Sequence, residues 1–445
     1  MRQEHFEPSN KSISSVINCP PSATEDRPTS GNVIFATEKM LLNRMMRAIG
    51  NPPLQILLWN GLQISNHDGN DVAQIVIHDR GALMKLIADP ELNFGVMYAA
   101  QRIDVRGNLM DFLDAVYRAW PLRNSFNTVK KIFSPLYGSR RNTLSGSRKN
   151  IHHHYDIGND FYKLWLDEQM LYTCAYFPSQ DTSLEDAQCA KMDHVCRKLR
   201  LQPGEKVVEA GCGWGALAIH MAKHYGVTVH AYNISREQIS YARRRAELEG
   251  LEGRVEFIED DYRNVQGQFD AFVSVGMLEH VGTDNYEALG EVIDRILKNN
   301  GRGLIHSIGL NYPRPMDAWT ERHIFPGANP PSLAQMMQIF EPYDFSVLDV
   351  ENLRLHYAKT LEHWLQRYEE NIDLVTEMFD KEFVRAWRLY LAGSVTAFKN
   401  GGMQLFQVSF ARAGYNQIPL TRHYLYEQAA NDHRLIASGE VYGKL

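Results

Sequence analysis

Lys206-Val207-Val208-Glu209-Ala210-Gly211-Cys212-Gly213-Trp214-Gly215 is the stretch on which the reading of this chain turns. Its first five residues are a short apolar run suited to a buried strand, and a helical pattern follows the last glycine. Glycines let the backbone turn sharply without a Cβ clash. The free amides at the start of the next helix then face whatever lies above the turn. This is the layout of a nucleotide-cofactor turn, spaced more tightly than the G-x-G-x-x-G of dinucleotide folds. A Gly-rich turn alone can be no more than a tight strand–helix connection, so its surroundings decide.

Downstream the pattern alternates. Strands are predicted at Val207–Glu209, Val227–Tyr232, Val255–Ile258, Ala271–Val275 and Gly303–Ile308, with helices at Ala216–Lys223, Ser235–Leu248 and Tyr286–Leu297 between them. Parallel strands joined by helices give a doubly wound α/β sheet, whose ligand sits at the carboxyl ends of the strands near the switch point. Ser346–Val350 and Gln404–Ala411 are expected to close the sheet as an antiparallel pair, making seven strands. Leu333–Phe340 and Leu361–Phe398 read as helical insertions that would cover the site.

The 445 residues exceed one typical domain, and 44% hydrophobic content can fill a large core. A net charge of −6 argues against general nucleic-acid affinity. Five cysteines, Cys19, Cys174, Cys189, Cys196 and Cys212, show no metal spacing and read as free thiols in a reducing cytoplasm. No apolar run has the length of a membrane span, and the polar N-terminus has no signal-peptide core. Residues 1–32, rich in Ser, Pro, Asn and Thr, read as a disordered tail. A small α+β domain follows over 33–122, with a strand at Ala73–Ile77 and a helix at Gly81–Ile87. Its first helix, expected to be capped by Thr37, is amphipathic through Met40, Leu41, Leu42, Met45, Met46 and Ile49. That face could lie on a membrane surface or pack on its own domain. Residues 123–150 carry Arg123, Lys130, Lys131, Arg140, Arg141, Arg148 and Lys149 with no acidic residue. This basic linker reads either as a solvated tether or as an attraction for an anionic surface. The catalytic domain is expected over 151–445.

Several motifs recur together in this last region. They are Tyr155-Asp156-Ile157-Gly158-Asn159-Asp160, Leu171-Tyr172-Thr173-Cys174-Ala175-Tyr176-Phe177, the Gly-rich turn, Val275-Gly276-Met277-Leu278-Glu279-His280-Val281-Gly282 and Leu304-Ile305-His306-Ser307-Ile308-Gly309. In this order the chain resembles the cyclopropane fatty acid synthases, a family that includes the mycolic acid cyclopropane synthases and related lipid C-methyltransferases. The segment from Asp79-Arg80-Gly81-Ala82-Leu83 to Arg106-Gly107-Asn108-Leu109 is similar to the N-terminal domain of the bacterial enzymes.

The resemblance implies a class I S-adenosylmethionine (SAM) methyltransferase fold. It also implies a transfer of a methylene group from SAM to the cis double bond of an unsaturated phospholipid acyl chain. An alkene is a poor nucleophile, so the donor must be an activated sulfonium in a site that excludes water. Methyl transfer leaves a carbocation, and aromatic faces stabilise cations by about 0.5 to 2 kcal/mol each. A base must then take a proton so that the ring closes. The resemblance implies bicarbonate as that base, held by Cys174, Glu279, His306, Ile308 and Tyr357. Glu279, His306 and the Tyr357 hydroxyl would orient it, and Cys174 and Ile308 would act mainly through their backbone. For SAM it implies Tyr172, Thr173, Gly211, Gly213, Gly215, Asn233, Gln238, Tyr262 and Arg263. Gln238 could accept the ribose hydroxyls where many SAM enzymes use an acid; Asp260 and Asp261 are the runner-up acidic candidates and otherwise read as solvated. His152-His153-His154 reads as a helix or loop entrance, since adjacent side chains do not converge on one ion, and no metal is expected. Ser394 stands where some relatives carry a cysteine.

The implied partner is a membrane phospholipid, with the enzyme cytoplasmic and peripheral on the inner face; a homodimer stays open. Three other readings stay open as well. A lipid C-methyltransferase could give methylene- or methyl-branched chains, a small-molecule N- or O-methyltransferase would need a heteroatom nucleophile, and a non-enzymatic lipid- or SAM-binding protein would not need the pocket.

Overall fold

The computed structural model describes residues 36–65, 71–120 and 157–426. The tail at 1–32, the linker at 123–150 and His152-His153-His154 lie outside these residues. The described residues fall into two compact units that cut across chain order. One draws on Met1–Glu168, Gly309–Pro330 and Arg354–Gln404, the other on Gln169–Ile308, Pro331–Leu353 and Leu405–Leu445.

The first unit contains a four-stranded sheet ordered β2-β1-β3-β4, with β1 at Leu54–Leu58, β2 at Gln63–Ser65, β3 at Ala73–Ile77 and β4 at Ile103–Arg106. β1 is parallel to β3, while β1/β2 and β3/β4 are antiparallel. Its helices begin where a short polar side chain satisfies the orphan amides of a first turn. Asp79 accepts from the Ala82 N–H (2.9 Å), Asp89 from Leu92 (3.1 Å) and Asn108 from Met110 (2.8 Å). These caps open the helices Arg80–Ala88, Pro90–Ala99 and Leu109–Ala119.

The late helix Lys381–Lys399 packs on the second and third of them. Its Arg385 guanidinium lies 4.0 Å from the Tyr98 ring centroid and donates to the Tyr98 carbonyl (2.6 Å) and to Asp104 (2.7 Å). Phe161 sits edge-on to Trp165, Tyr368, Phe379, Phe383 and Trp387, with centroids 5.1 to 6.4 Å apart. The N-terminal α+β elements and the helices after Arg354 therefore share one aromatic-rich core. The first helix, Ala36–Ala48, buries Leu42, Met45 and Met46, and Ile49 beyond it is buried too. Most of its apolar face is thus packed within the protein, as the packed reading of this segment expects, while Met40 stays exposed. Thr37 lies inside the helix and does not cap it.

The second unit is built on a seven-stranded sheet ordered β10-β11-β9-β8-β5-β6-β7. The strands are β5 (Lys206–Ala210), β6 (Thr228–Asn233), β7 (Val255–Glu259), β8 (Phe269–Val275), β9 (Leu297–Gly309), β10 (Phe345–Asn352) and β11 (Gln404–Arg412). β9-β8-β5-β6-β7 are parallel, and β10/β11 is the antiparallel pair. Alternate residues of β5 feed opposite faces. Val207 joins the core under the helices Leu184–Leu199 and Ala216–Tyr225, while Val208 and Ala210 join that under Tyr286–Ile296. The order reverses at β5, so the turn 211–215 stands at the switch point. No helix among the described residues is long and apolar enough to cross a membrane.

Helix Leu184–Leu199 was not foreseen from the sequence, although Ser183 caps it and Glu185 and Asp186 lie in its first turn. Arg302 on β9 ties down its far end. It donates to the carbonyls of Leu199 (2.5 Å) and Arg200 (2.8 Å) and forks onto Glu205 at 2.8 and 2.6 Å. It thereby occupies carbonyls that a helix end leaves unpaired and sets the helix against the strand that carries His306. Replacing Arg302 by Met takes its donors from the Leu199 carbonyl and from Glu205 Oε1, and leaves the Arg200 carbonyl and Glu205 Oε2 only their bonds from Gln202. We expect a loss of about 3 kcal/mol, read as an unfolding transition shifted to lower urea. Arg302→Lys should recover less than half of the shift, because an ammonium cannot reproduce the fork.

Candidate active site

The three glycines of the turn all have positive φ, at +85° for Gly211, +53° for Gly213 and +85° for Gly215. A Cβ on Gly215 would lie 2.6 Å from the Phe257 ring, and one on Gly211 would lie 2.9 Å from Met277 Cβ. Those two glycines are required by packing. At Gly213 no atom lies within 4 Å of a Cβ position, although its neighbours Cys212 and Trp214 are buried. The turn is open there, as a turn that admits a ligand to the backbone must be. The amides of Gly211 and Cys212 both donate to the Tyr232 carbonyl (2.9 and 3.1 Å), fastening the end of β5 to β6.

Asn233, the last residue of β6, donates to the Gly213 carbonyl (3.3 Å) and to Gln238 Oε1 (2.8 Å). The turn, Asn233 and Gln238 are thus brought together, and the Gln238 carbonyl already receives the Asn233 amide. Tyr262 and Arg263 follow β7. Arg263 forks onto Asp261 at 2.7 and 2.8 Å, and burial pushes the Tyr262 phenol up to about 12. Asp261, expected to be solvated, is instead buried and caps this turn.

Helix Leu184–Leu199 holds the segment that contains Tyr172 and Thr173. Gln188 donates to the carbonyls of Leu171 (3.3 Å) and Thr173 (2.9 Å), and buried Lys191 donates to Thr173 Oγ1 (2.9 Å). A Cβ on Gly276 would stand 3.0 Å from Thr173 Cγ2, so only glycine leaves Thr173 its place beside the end of β8. Gly276 in turn donates to the His306 carbonyl (2.9 Å) on β9. Cys174 is buried and forms no disulfide, with its thiol 3.1 Å from the Ala175 carbonyl.

Glu279 and His306 come from the ends of neighbouring parallel strands. Glu279 sits on a 3₁₀ turn after β8, where Oε1 accepts the Ile308 N–H at 2.5 Å and the buried Oε2 has no hydrogen-bond partner. Burial pushes its carboxyl up to about 7, against the Ile308 amide and the Ser307 hydroxyl. His306 is 2% exposed and is pushed down to about 3, mainly by burial and then by the charges of Lys191 and Lys198. Its Nδ1 lies 2.9 Å from Gln407 Nε2. A carboxyl pushed toward its neutral form with one unpaired oxygen, fixed by the Ile308 amide, and a neutral imidazole can receive a small oxyanion through hydrogen bonds without a net cation.

Cys174, Glu279, His306 and Ile308 all belong to the second unit. Tyr357 belongs to the first, on the helix Arg354–Glu370, where its ring lies 4.7 Å from Phe398 and edge-on to Trp364. Ser394 is half-buried on the helix Lys381–Lys399 of the same unit.

Sequence reasoning missed three residues of this neighbourhood. Lys191 lies on the unforeseen helix. Glu209 was seen only as the acid before the turn, yet burial pushes it up to about 8 with Lys191 opposing. Gln407 is fully buried in β11. Its signal was available, as an amide set between the apolar Phe406 and Val408.

The family model for mycolic acid cyclopropane synthetase matches residues 143–408, and a model for a domain of unknown function matches residues 41–130. A probable fatty acid methyltransferase of Pseudomonas putida is 33% identical over 386 residues, covering 84% of this chain and 96% of its own length. The cyclopropane-fatty-acyl-phospholipid synthase of Escherichia coli K12 is 40% identical over 274 residues, 60% of this chain and 69% of the relative. Among solved structures, the cyclopropane synthase MmaA2 of Mycobacterium tuberculosis superposes with a TM-score of 0.57 at 28% identity, covering 60% of this chain and 98% of that one. With the family model spanning more than half of the sequence and the Pseudomonas relative matched almost end to end, this chain, which has the class I SAM methyltransferase fold, belongs to the mycolic acid cyclopropane synthetase family.

Proposed function

We propose that this protein uses SAM to add a methylene bridge across the cis double bond of an unsaturated phospholipid acyl chain, with bicarbonate as the base. The observation that carries the reading is the pairing of Glu279 with the Ile308 amide next to neutral His306, one strand end away from the open Gly-rich turn. The relatives support a lipid as substrate, since one is a phospholipid synthase and another a fatty acid methyltransferase by name.

The residues present fit both groups. For SAM, the space over Gly213, the linked Asn233 and Gln238 and the anchored Tyr172–Thr173 segment form a cradle at the switch point. SAM supplies an electrophilic methyl group. For bicarbonate, Glu279 Oε2 is a buried oxygen awaiting a partner. Bicarbonate, when bound, supplies the base that takes the proton lost on ring closure. Glu279 fixes the orientation of that base by hydrogen bonding, and its position is held by Ile308. His306 stays uncharged, so it adds no cation to a pocket where a carbocation must form. Cys174 offers its backbone. Tyr357 is assigned to the pocket on the resemblance alone, as are Tyr262 and Arg263 to the cofactor.

Incubating the protein with SAM and unsaturated phospholipid vesicles, then recording NMR spectra of the lipid, tests the reading. Cyclopropane ring protons are expected; a methyl or methylene branch would establish the C-methyltransferase reading instead, and unmodified lipid would reject both. Glu279→Gln should lower kcat by about a thousandfold, the size of effect seen when a preorganised hydrogen-bonding group is lost, while SAM affinity measured by calorimetry is retained. Loss of SAM binding without a specific defect in turnover would move Glu279 into the cofactor site.

We also propose that the basic stretch 123–150, with the N-terminal domain, brings the enzyme to anionic membrane. Neutralising Lys130, Lys131, Arg140 and Arg141 together should weaken binding to anionic vesicles, each charge contributing about 1 kcal/mol near such a surface. Wild-type binding should fall with added salt, and SAM affinity should not change. Normal vesicle binding by the quadruple variant at low salt would make the stretch a solvated tether.

A further inference from the structure

β11 is buried along nearly its whole length, yet it carries Gln404, Gln407 and Ser409. A buried amide is unfavourable unless its hydrogen bonds are met. Gln407 meets only part of its capacity. Its Nε2 lies 2.9 Å from His306 Nδ1, and its Oε1, fully enclosed, has no hydrogen-bond partner. An apolar side chain of similar volume would avoid the orphaned oxygen, so stability alone does not account for glutamine at this position.

The chemistry of the contact does account for it. An amide NH₂ group can only donate, so His306 Nδ1 must be an unprotonated acceptor. In a neutral imidazole the proton then resides on Nε2. Protonation of Nδ1 would set two donors against each other, so the same contact opposes the imidazolium. The surrounding charges agree with this: Lys191 and Lys198 on the helix Leu184–Leu199 face the ring, with Glu351 of β10 and His194. Glu351 is engaged by His194 (2.7 Å) and Lys198 (2.6 Å). Among the described residues, Nε2 of His306 has no hydrogen-bond partner.

We propose that Gln407 is a positioning residue that holds His306 as its Nε2–H tautomer, so that Nε2 is a hydrogen-bond donor to the anion of the pocket. This rests on the reading of His306 as a member of that pocket. The other tautomer would turn a lone pair toward an anion and repel it. Gln407 touches neither substrate nor cofactor and acts only through the ring.

The test is ¹⁵N NMR of the full-length protein labelled at histidine, with the His306 signals assigned by their loss in His306→Gln. The expected spectrum has Nε2 protonated and Nδ1 bare; a protonated Nδ1 in the wild type overturns the proposal. In Gln407→Leu the signals should shift toward a mixture of tautomers. The bicarbonate concentration needed for half-maximal rate should rise about tenfold, as for one lost neutral hydrogen bond, while SAM affinity stays unchanged and high bicarbonate restores kcat. Gln407→Leu with wild-type tautomer and wild-type bicarbonate dependence overturns the proposal and leaves the pocket standing. If His306→Gln is itself fully active, the pocket reading fails, and the wild-type spectrum still decides which nitrogen Gln407 addresses.

Discussion

Burying ionisable groups at the ends of parallel strands, with almost no counter-charge, is the constraint around which the second unit is arranged. Glu209, Glu279 and His306 are each nearly sealed from water. Desolvation drives all three toward their uncharged forms, with the two carboxyls near 8 and 7 and the imidazole near 3. Lys191 and Lys198 are the exceptions, buried lysines that lower His306 further, and Lys191 also opposes the rise at Glu209. A site kept close to neutral suits a reaction proposed to pass through a sulfonium and a carbocation, because fixed cations would raise the energy of both.

Two of these groups and the buried lysine Lys191 are each engaged in a short, directed bond. The Ile308 amide holds Glu279, the Gln407 amide holds His306, and Lys191 holds Thr173. Two of these donors come from outside the five parallel strands, one from β11 and one from the helix Leu184–Leu199. The parallel sheet supplies the positions, and the elements added around it set protonation and orientation. Arg302 joins the two kinds of support, since it sits on β9 and grips the end of that helix.

How much of this was legible in the sequence follows from the range of the interactions. The Gly-rich turn, the five parallel strands and the closing antiparallel pair are written in local patterns, and their ends agree with the structure to within a few residues, apart from β9, which begins at Leu297. Glu279 and His306 could be placed near strand ends for the same reason. Gln407 pairs with a residue 101 positions away, and only the closed sheet brings them together. Asp261 read as solvated because nothing local shows that its turn is covered. The helix Leu184–Leu199 carries Lys191, His194 and Lys198 on buried positions, so its amphipathic pattern was blurred by the charges that matter most.

The first unit illustrates the same limit on a larger scale. Residues 36–120 have caps, strands and turns enough to read as a small domain of their own. Its core nevertheless includes the helix Lys381–Lys399, with Arg385 wedged between the Tyr98 ring and Asp104. Tyr357 lies on a helix of this same unit, and that helix packs on the helix Lys381–Lys399, which packs on the N-terminal elements. Most of the apolar face of the helix Ala36–Ala48 is buried in that packing, with Met40 left exposed. The proposed membrane docking would then draw mainly on charge, which is why ionic strength is the variable that separates it from chemistry.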